Sequence, residues 1–163
     1  MSDSEHNRVI EVLYELALDF KPYGRVYVDH ISKDYKTINI LSHRKRGAAD
    51  VYPYYPDLWC RTKRTNKIEI FEVWDSQIED ACITDIVLAA LTPDIEALYI
   101  ICLQKDQYEL ALKLVKVVLS SLFGEEGSLL LDPSKVAKYV TYVPAGVLDD
   151  RRLKKFLHDK LDF

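Results

Sequence analysis

Two β-prone apolar runs separated by a short polar turn, the second passing almost at once into a helix, constrain this chain more than any other feature. The first run is Pro56-Asp57-Leu58-Trp59-Cys60 and the turn is Thr62-Lys63-Arg64-Thr65-Asn66. The second run is Lys67-Ile68-Glu69-Ile70-Phe71-Glu72-Val73-Trp74, and Ser76 opens the helix. Apolar runs flanking a polar turn are a hairpin signal. If the hairpin closes near Arg64 and Thr65, antiparallel pairing sets Asp57 opposite Glu72. Directly opposed carboxylates repel, so a chain that places them there solvates them or uses them, most often to hold a hard divalent cation through oxygen ligands.

Pro56-Asp57, followed fifteen positions later by Glu72-Val73-Trp74, resembles the PD-(D/E)xK nuclease superfamily. In that family a Pro-Asp opens one strand, a Glu-apolar-Lys ends the next, and a helix then packs on the sheet. Ser76-Gln77-Ile78-Glu79 is a capping box at that place. The resemblance covers about the first two thirds of the chain and departs at one position, where Trp74 stands for the family's lysine. It implies a restriction-endonuclease-like fold and a Mg²⁺ site formed by Asp57 and Glu72, with the backbone carbonyl of Val73 as third ligand. It also implies phosphodiester chemistry of an endonuclease or resolvase kind on nucleic acid, DNA above all. Some members bring an acidic residue from the first helix, a part that Glu11 or Glu15 would play here.

The missing lysine has no evident replacement. Lys63 lies six residues along from Asp57, roughly 20 Å at ~3.3 Å per residue, and Lys67 has the wrong parity to share a face with Glu72. No lysine occurs between Ser76 and Leu91, so Gln77 is the first polar candidate at the start of that helix. Loss of one electrostatic donor costs ~10²–10³ in rate in other enzymes, so weak cleavage is expected. Trp74 shares the Glu72 face and either stacks on a base or fills the gap between sheet and helix. A second class of function is therefore open, a catalytically degenerate module that binds nucleic acid or a protein partner.

His43-Arg44-Lys45-Arg46 is the densest basic run and the candidate for phosphate contact, or else a solvated loop. Tyr52-Pro53-Tyr54-Tyr55-Pro56 is held extended by its prolines and offers stacking faces or core cover. The net charge of −4 argues against a uniformly basic coat but leaves local patches open. Cys60, Cys82 and Cys102 sit in apolar runs without metal-ligand spacing and are expected as buried reduced thiols in an intracellular, cytoplasmic protein. The four histidines show no ligand spacing, and no signal peptide or membrane span is expected.

Periodicity supplies the frame. A helix is expected from Ser4 to Phe20, then Val26–Val28 and Thr37–Leu41 as an antiparallel pair of strands. After the hairpin come a small-residue helix ending before Pro93, an interior strand Ala97–Leu103, and a helix from Asp106 to Gly124. A strand Tyr139–Val143 and an amphipathic helix Asp149–Leu161 complete the chain. With 163 residues, 48% hydrophobic and 29% charged, and no linker or repeat, residues 1–163 read as one α/β domain. Its expected core is a mixed central sheet flanked by helices. Dimerisation is left open.

Overall fold

Strand β5 (Ile68–Trp74) is buried at every position, which follows from a sequence that alternates Ile68, Ile70 and Trp74 on one face with Phe71 and Val73 on the other. A computed structural model describes residues 3–20, 23–28, 38–40, 52–54, 56–62, 65–75, 82–83, 85–87, 89, 94–123, 140–144 and 150–161. In chain order the elements are α1 (Asp3–Phe20), β1 (Tyr23–Val28), β2 (Ile38–Ile40), β3 (Tyr52–Tyr54), β4 (Leu58–Thr62) and β5. A helix, α2, follows, with described helical residues 82, 83, 85–87 and 89. Then come β6 (Ile95–Cys102), α3 (Lys105–Phe123), β7 (Val140–Tyr142) and a last helix, α4 (Asp150–Lys160).

Five strands form one mixed sheet in the order β1-β4-β5-β6-β7. β1, β4 and β5 are successively antiparallel, while β6 and β7 run parallel to β5. The hairpin has the expected register: Leu58 pairs with Phe71, Trp59 with Ile70, Cys60 with Glu69 and Arg61 with Ile68. Its turn is closed by the Asn66 N–H donating to the Thr62 carbonyl and the Thr62 N–H donating to that of Lys67, both at 2.9 Å.

One pairing differs from expectation. Val26–Val28 does not pair with Ile38–Ile40, the described part of residues 37–41. β1 lies against β4, and β2 pairs with β3 in a separate two-stranded sheet. The pairing with β4 is favoured by non-local packing: Tyr27 stacks on Trp59, its partner in register, with ring centroids 4.4 Å apart.

Strict alternation divides the interior in two. On one face Trp59, Ile68, Ile70, Trp74, Leu98, Ile100 and Cys102 pack under Cys82, Ile86 and Ala89 of α2 and Ala111, Val115 and Val118 of α3. On the other, Leu58, Cys60, Phe71, Val73, Tyr99 and Ile101 pack under α1 and α4, which contribute Val9, Ile10, Leu13, Leu16, Leu153 and Leu157 among others. The molecule is therefore a single α/β domain with helices on both faces of a mixed sheet. β6 carries apolar side chains on both faces, as an interior parallel strand must. Phe71 and Tyr99, paired in register, stack at 4.4 Å. Cys60, Cys82 and Cys102 are buried free thiols, and burial pushes that of Cys102 up to about 12. No helix among the described residues is long and apolar enough to cross a membrane.

Candidate functional site

The C-terminal end of β5 is where the polar groups collect. Asp57 immediately precedes β4, so continuing the register one step past Leu58 and Phe71 sets it opposite Glu72. Its Oδ2 accepts the backbone N–H of Val73 at 2.8 Å. Backbone groups alternate sides along a strand, and the Trp74 carbonyl accepts the Leu103 N–H at 3.0 Å on the β6 side. Val73 therefore turns both its N–H and its C=O to the β4 side. The carboxylate thus accepts from a backbone donor of β5 at the point where β4 has ended.

The group that reaches Asp57 from outside the hairpin is His6, from the first turns of α1. Its Nε2 lies 3.4 Å from Asp57 Oδ2, with the two side chains 16% and 13% exposed. The hydrogen bond to Asp57 raises the His6 imidazole from 6.5 to about 9, against the opposing effect of burial; the Asp57 charge, the contact of Nδ1 with Asn7 Oδ1 at 3.5 Å and the charge of Asp75 reinforce the rise. His6 is thus an imidazolium at neutral pH with both ring nitrogens donating. The sequence held a signal for this that ligand spacing does not capture. His6 lies one helical turn before Val9 and Ile10, where the buried stripe that Leu13, Leu16 and Ala17 continue begins, so it extends that stripe of α1 onto the end of the sheet.

Glu72 is buried, at 6% exposure, and by strand alternation belongs to the face of Ile70 and Trp74. Asp57, bonded in the plane of the sheet, is met by His6 from the α1 side. The two carboxylates thus come to the same end of the same strand pair. Trp74 fills the gap between sheet and helix: it is fully buried among Cys82, Ile86 and Ala89, and its indole Nε1 donates to Asp85 Oδ2 of α2 at 3.3 Å. The position of the motif lysine is therefore a sealed aromatic contact.

The first-helix carboxylates go elsewhere. Glu11 and Glu15 are exposed, and Glu15 pairs with Lys154 of α4 at 3.5 Å, nine residues or roughly 13 Å along the helix from His6. The contribution of α1 to this end of the sheet is a cation. Gln77 and the basic run His43, Arg44, Lys45 and Arg46 lie outside the described residues. As donors, Asp57, Glu72 and the Val73 carbonyl are hard oxygens of the kind Mg²⁺ takes. Among the described residues no group of three or more His, Cys, Asp or Glu side chains is arranged to hold a metal ion, so a cation here would depend on two carboxylates and backbone. Compared with protein-family models, curated proteins and solved structures, the chain matches none.

Proposed function

We propose that this chain is a nucleic-acid-associated protein of nuclease-like, restriction-endonuclease-like fold. In this reading its Asp57 and Glu72 form a divalent-cation site of low cleavage activity. The observation that carries the reading is the Asp57 to Val73 contact at 2.8 Å, which joins the Pro-Asp and the Glu-apolar segments at one strand end. The order of elements supports it too: an antiparallel trio of strands, a helix between the second motif and the next strand, and that next strand running parallel to β5. Asp57 and Glu72, with the Val73 carbonyl, would hold Mg²⁺, which when bound supplies Lewis-acid polarisation of a phosphodiester. His6 holds a proton against Asp57 and limits the negative charge there. Trp74 excludes water from the sheet-helix gap and provides no ammonium to offset developing charge.

That same Trp74 favours a second reading, a catalytically degenerate nuclease-like module that binds nucleic acid or a protein partner. A divalent-cation titration by calorimetry, run beside a plasmid-nicking assay, separates the two. Saturable binding that Asp57→Asn abolishes, with slow nicking that the same variant also abolishes, supports the first. Binding without any nicking selects the second, and no binding of either cation or nucleic acid sinks both. If the lost lysine is what limits cleavage, Trp74→Lys should raise the nicking rate, provided a thermal melt shows the variant folded. Fast cleavage by the wild type would mean that another residue has taken the lysine's part, with Gln77 the first to test.

A further inference from the structure

Helix α4 concentrates positive charge to a degree the chain as a whole does not. In a protein with 22 Lys and Arg against 26 Asp and Glu, it places five Lys and Arg in 11 residues, about three times the average density, against two Asp. The helix it packs beside, α1, has the opposite balance, with five Asp and Glu against Arg8. Lys154 ties the two together, bridging Glu15 at 3.5 Å and Asp19 at 3.3 Å. Leu153, Leu157 and Leu161 face the core, so at ~100° per residue the opposite side of the helix is formed by Arg151, Arg152, Lys155 and Asp159. All four are exposed. Arg151 and Lys155 are a like-charged pair at i and i+4, an arrangement that weakens a helix rather than supporting it. A chain rich in acids could have alternated signs here, as its overall composition would allow.

We propose that the outward face of α4, formed by Arg151, Arg152 and Lys155, is a docking stripe for the phosphate backbone of duplex DNA. The inference rests on the nucleic-acid reading above and deepens it by placing the contact on a described element. Charge complementarity argues for the occupant: a polyanion is repelled by the exposed acids of α1 and drawn to α4, so the two helices together orient it. The Lys154 contacts place α4 beside the second half of α1, nine to thirteen residues from His6. That is roughly 13–20 Å along the helix axis, or the length of about 4–6 base pairs at 3.4 Å each.

The test is anisotropy of a labelled duplex of about 20 bp, without divalent cation, between about 50 and 200 mM KCl. Arg151→Gln, Arg152→Gln and Lys155→Gln combined should weaken binding at least tenfold and flatten the log–log salt slope by up to about 2.7, about 0.9 per lost phosphate contact. The control removes comparable charge from the other face of the sheet, where Lys113 and Lys116 are exposed on α3. Lys113→Gln with Lys116→Gln should leave the slope unchanged. If the wild type binds the duplex and the α4 variant binds it equally well, or if the α3 variant loses as much, the stripe is refuted while the nucleic-acid reading stands. If the wild type binds no duplex at low salt, that reading falls and the stripe with it. Binding to phosphatidylserine vesicles in place of duplex would overturn the proposal in favour of an anionic lipid surface.

Discussion

The two ends of the β4–β5 hairpin are built from similar polar residues, and they are held together in opposite ways. At the turn, partners are near neighbours: Arg61 donates to the Asn66 carbonyl, Thr62 and Thr65 share a hydroxyl contact, and Asn66 bonds back to Thr62. Long-range contacts reach this end as well: Thr65 to Glu96 at 3.2 Å and the Ile68 N–H to the Asp94 carbonyl at 2.8 Å tie it to the start of β6, and Thr62 pairs with Tyr23 of β1. At the other end Asp57 is held by Val73, sixteen positions away in sequence, and by His6, fifty-one positions away on a different element. The turn is a local device on the surface. The site end exists only once α1, β4, β5 and α2 have come together, so its energetics report on the whole fold. Perturbing it should cost more, and should couple to distant groups, where perturbing the turn should not.

The largest expected effect is at Trp74, which joins β5 to α2. Trp74→Ala should cost ~3–5 kcal/mol in equilibrium urea unfolding, because it opens a cavity and leaves Asp85 without its indole donor. A loss below about 1.5 kcal/mol would mean that α2 is not anchored through this residue. Next is Asp57→Ala, which removes the acceptor of the Val73 N–H and the partner of a charged His6. About 2–3 kcal/mol is expected at pH 7, with Asp57→Asn losing less because an amide oxygen can still accept from Val73. Equal losses for the two variants would show that the Val73 bond contributes nothing.

These ends also differ in what the sequence reveals. The hairpin register follows from apolar spacing alone, because a slip of one residue would turn Ile68, Ile70 and Trp74 to the wrong face. That Asp57 and Glu72 come to the same end of one strand pair follows from the same register. The partner of β1 is not, since its choice depends on Tyr27 finding Trp59 more than thirty residues later. His6 is harder still. The helical stripe shows that it faces inward, but only the docking of α1 on the sheet decides what it meets. Glu15 illustrates the converse: helical spacing alone cannot assign it to α4, where Lys154 takes it.

The third effect is pH-dependent. The folded His6 imidazole, raised from 6.5 to about 9, stabilises the fold fully below pH 6.5 and progressively less as pH rises through 9. The shift corresponds to ~3 kcal/mol before screening, and partial solvent access reduces this to about 1–2 kcal/mol. Urea titrations at pH 6, 7.5 and 9.5 should show that loss in the wild type, and His6→Gln should flatten it. If the slope between pH 6.5 and 9 is the same in both proteins, His6 does not hold its proton through Asp57. Thiol ionisation does not confuse the comparison for Cys102, which burial pushes up to about 12.

The smallest effect should come from the turn. Asn66 has φ of 56°, the left-handed region that asparagine tolerates and that Cβ-bearing residues without a short polar side chain resist. Its closing contacts use backbone atoms, the N–H to Thr62 and the carbonyl to Arg61, and survive substitution of the side chain. Asn66→Ala should therefore cost only the conformational preference, about 1 kcal/mol. Asn66→Gly should stay within ~0.5 kcal/mol of the wild type, because easier access to φ > 0 is offset by a freer unfolded chain. The sharper expectation concerns what does not move. The strand between Asn66 and Asp57 runs the length of the hairpin, so the His6 titration followed by NMR should be identical in the wild type and both variants. A shift in that titration caused by a change at position 66 would show the turn and the site to be coupled, and the division between a local end and an assembled end would have to be given up.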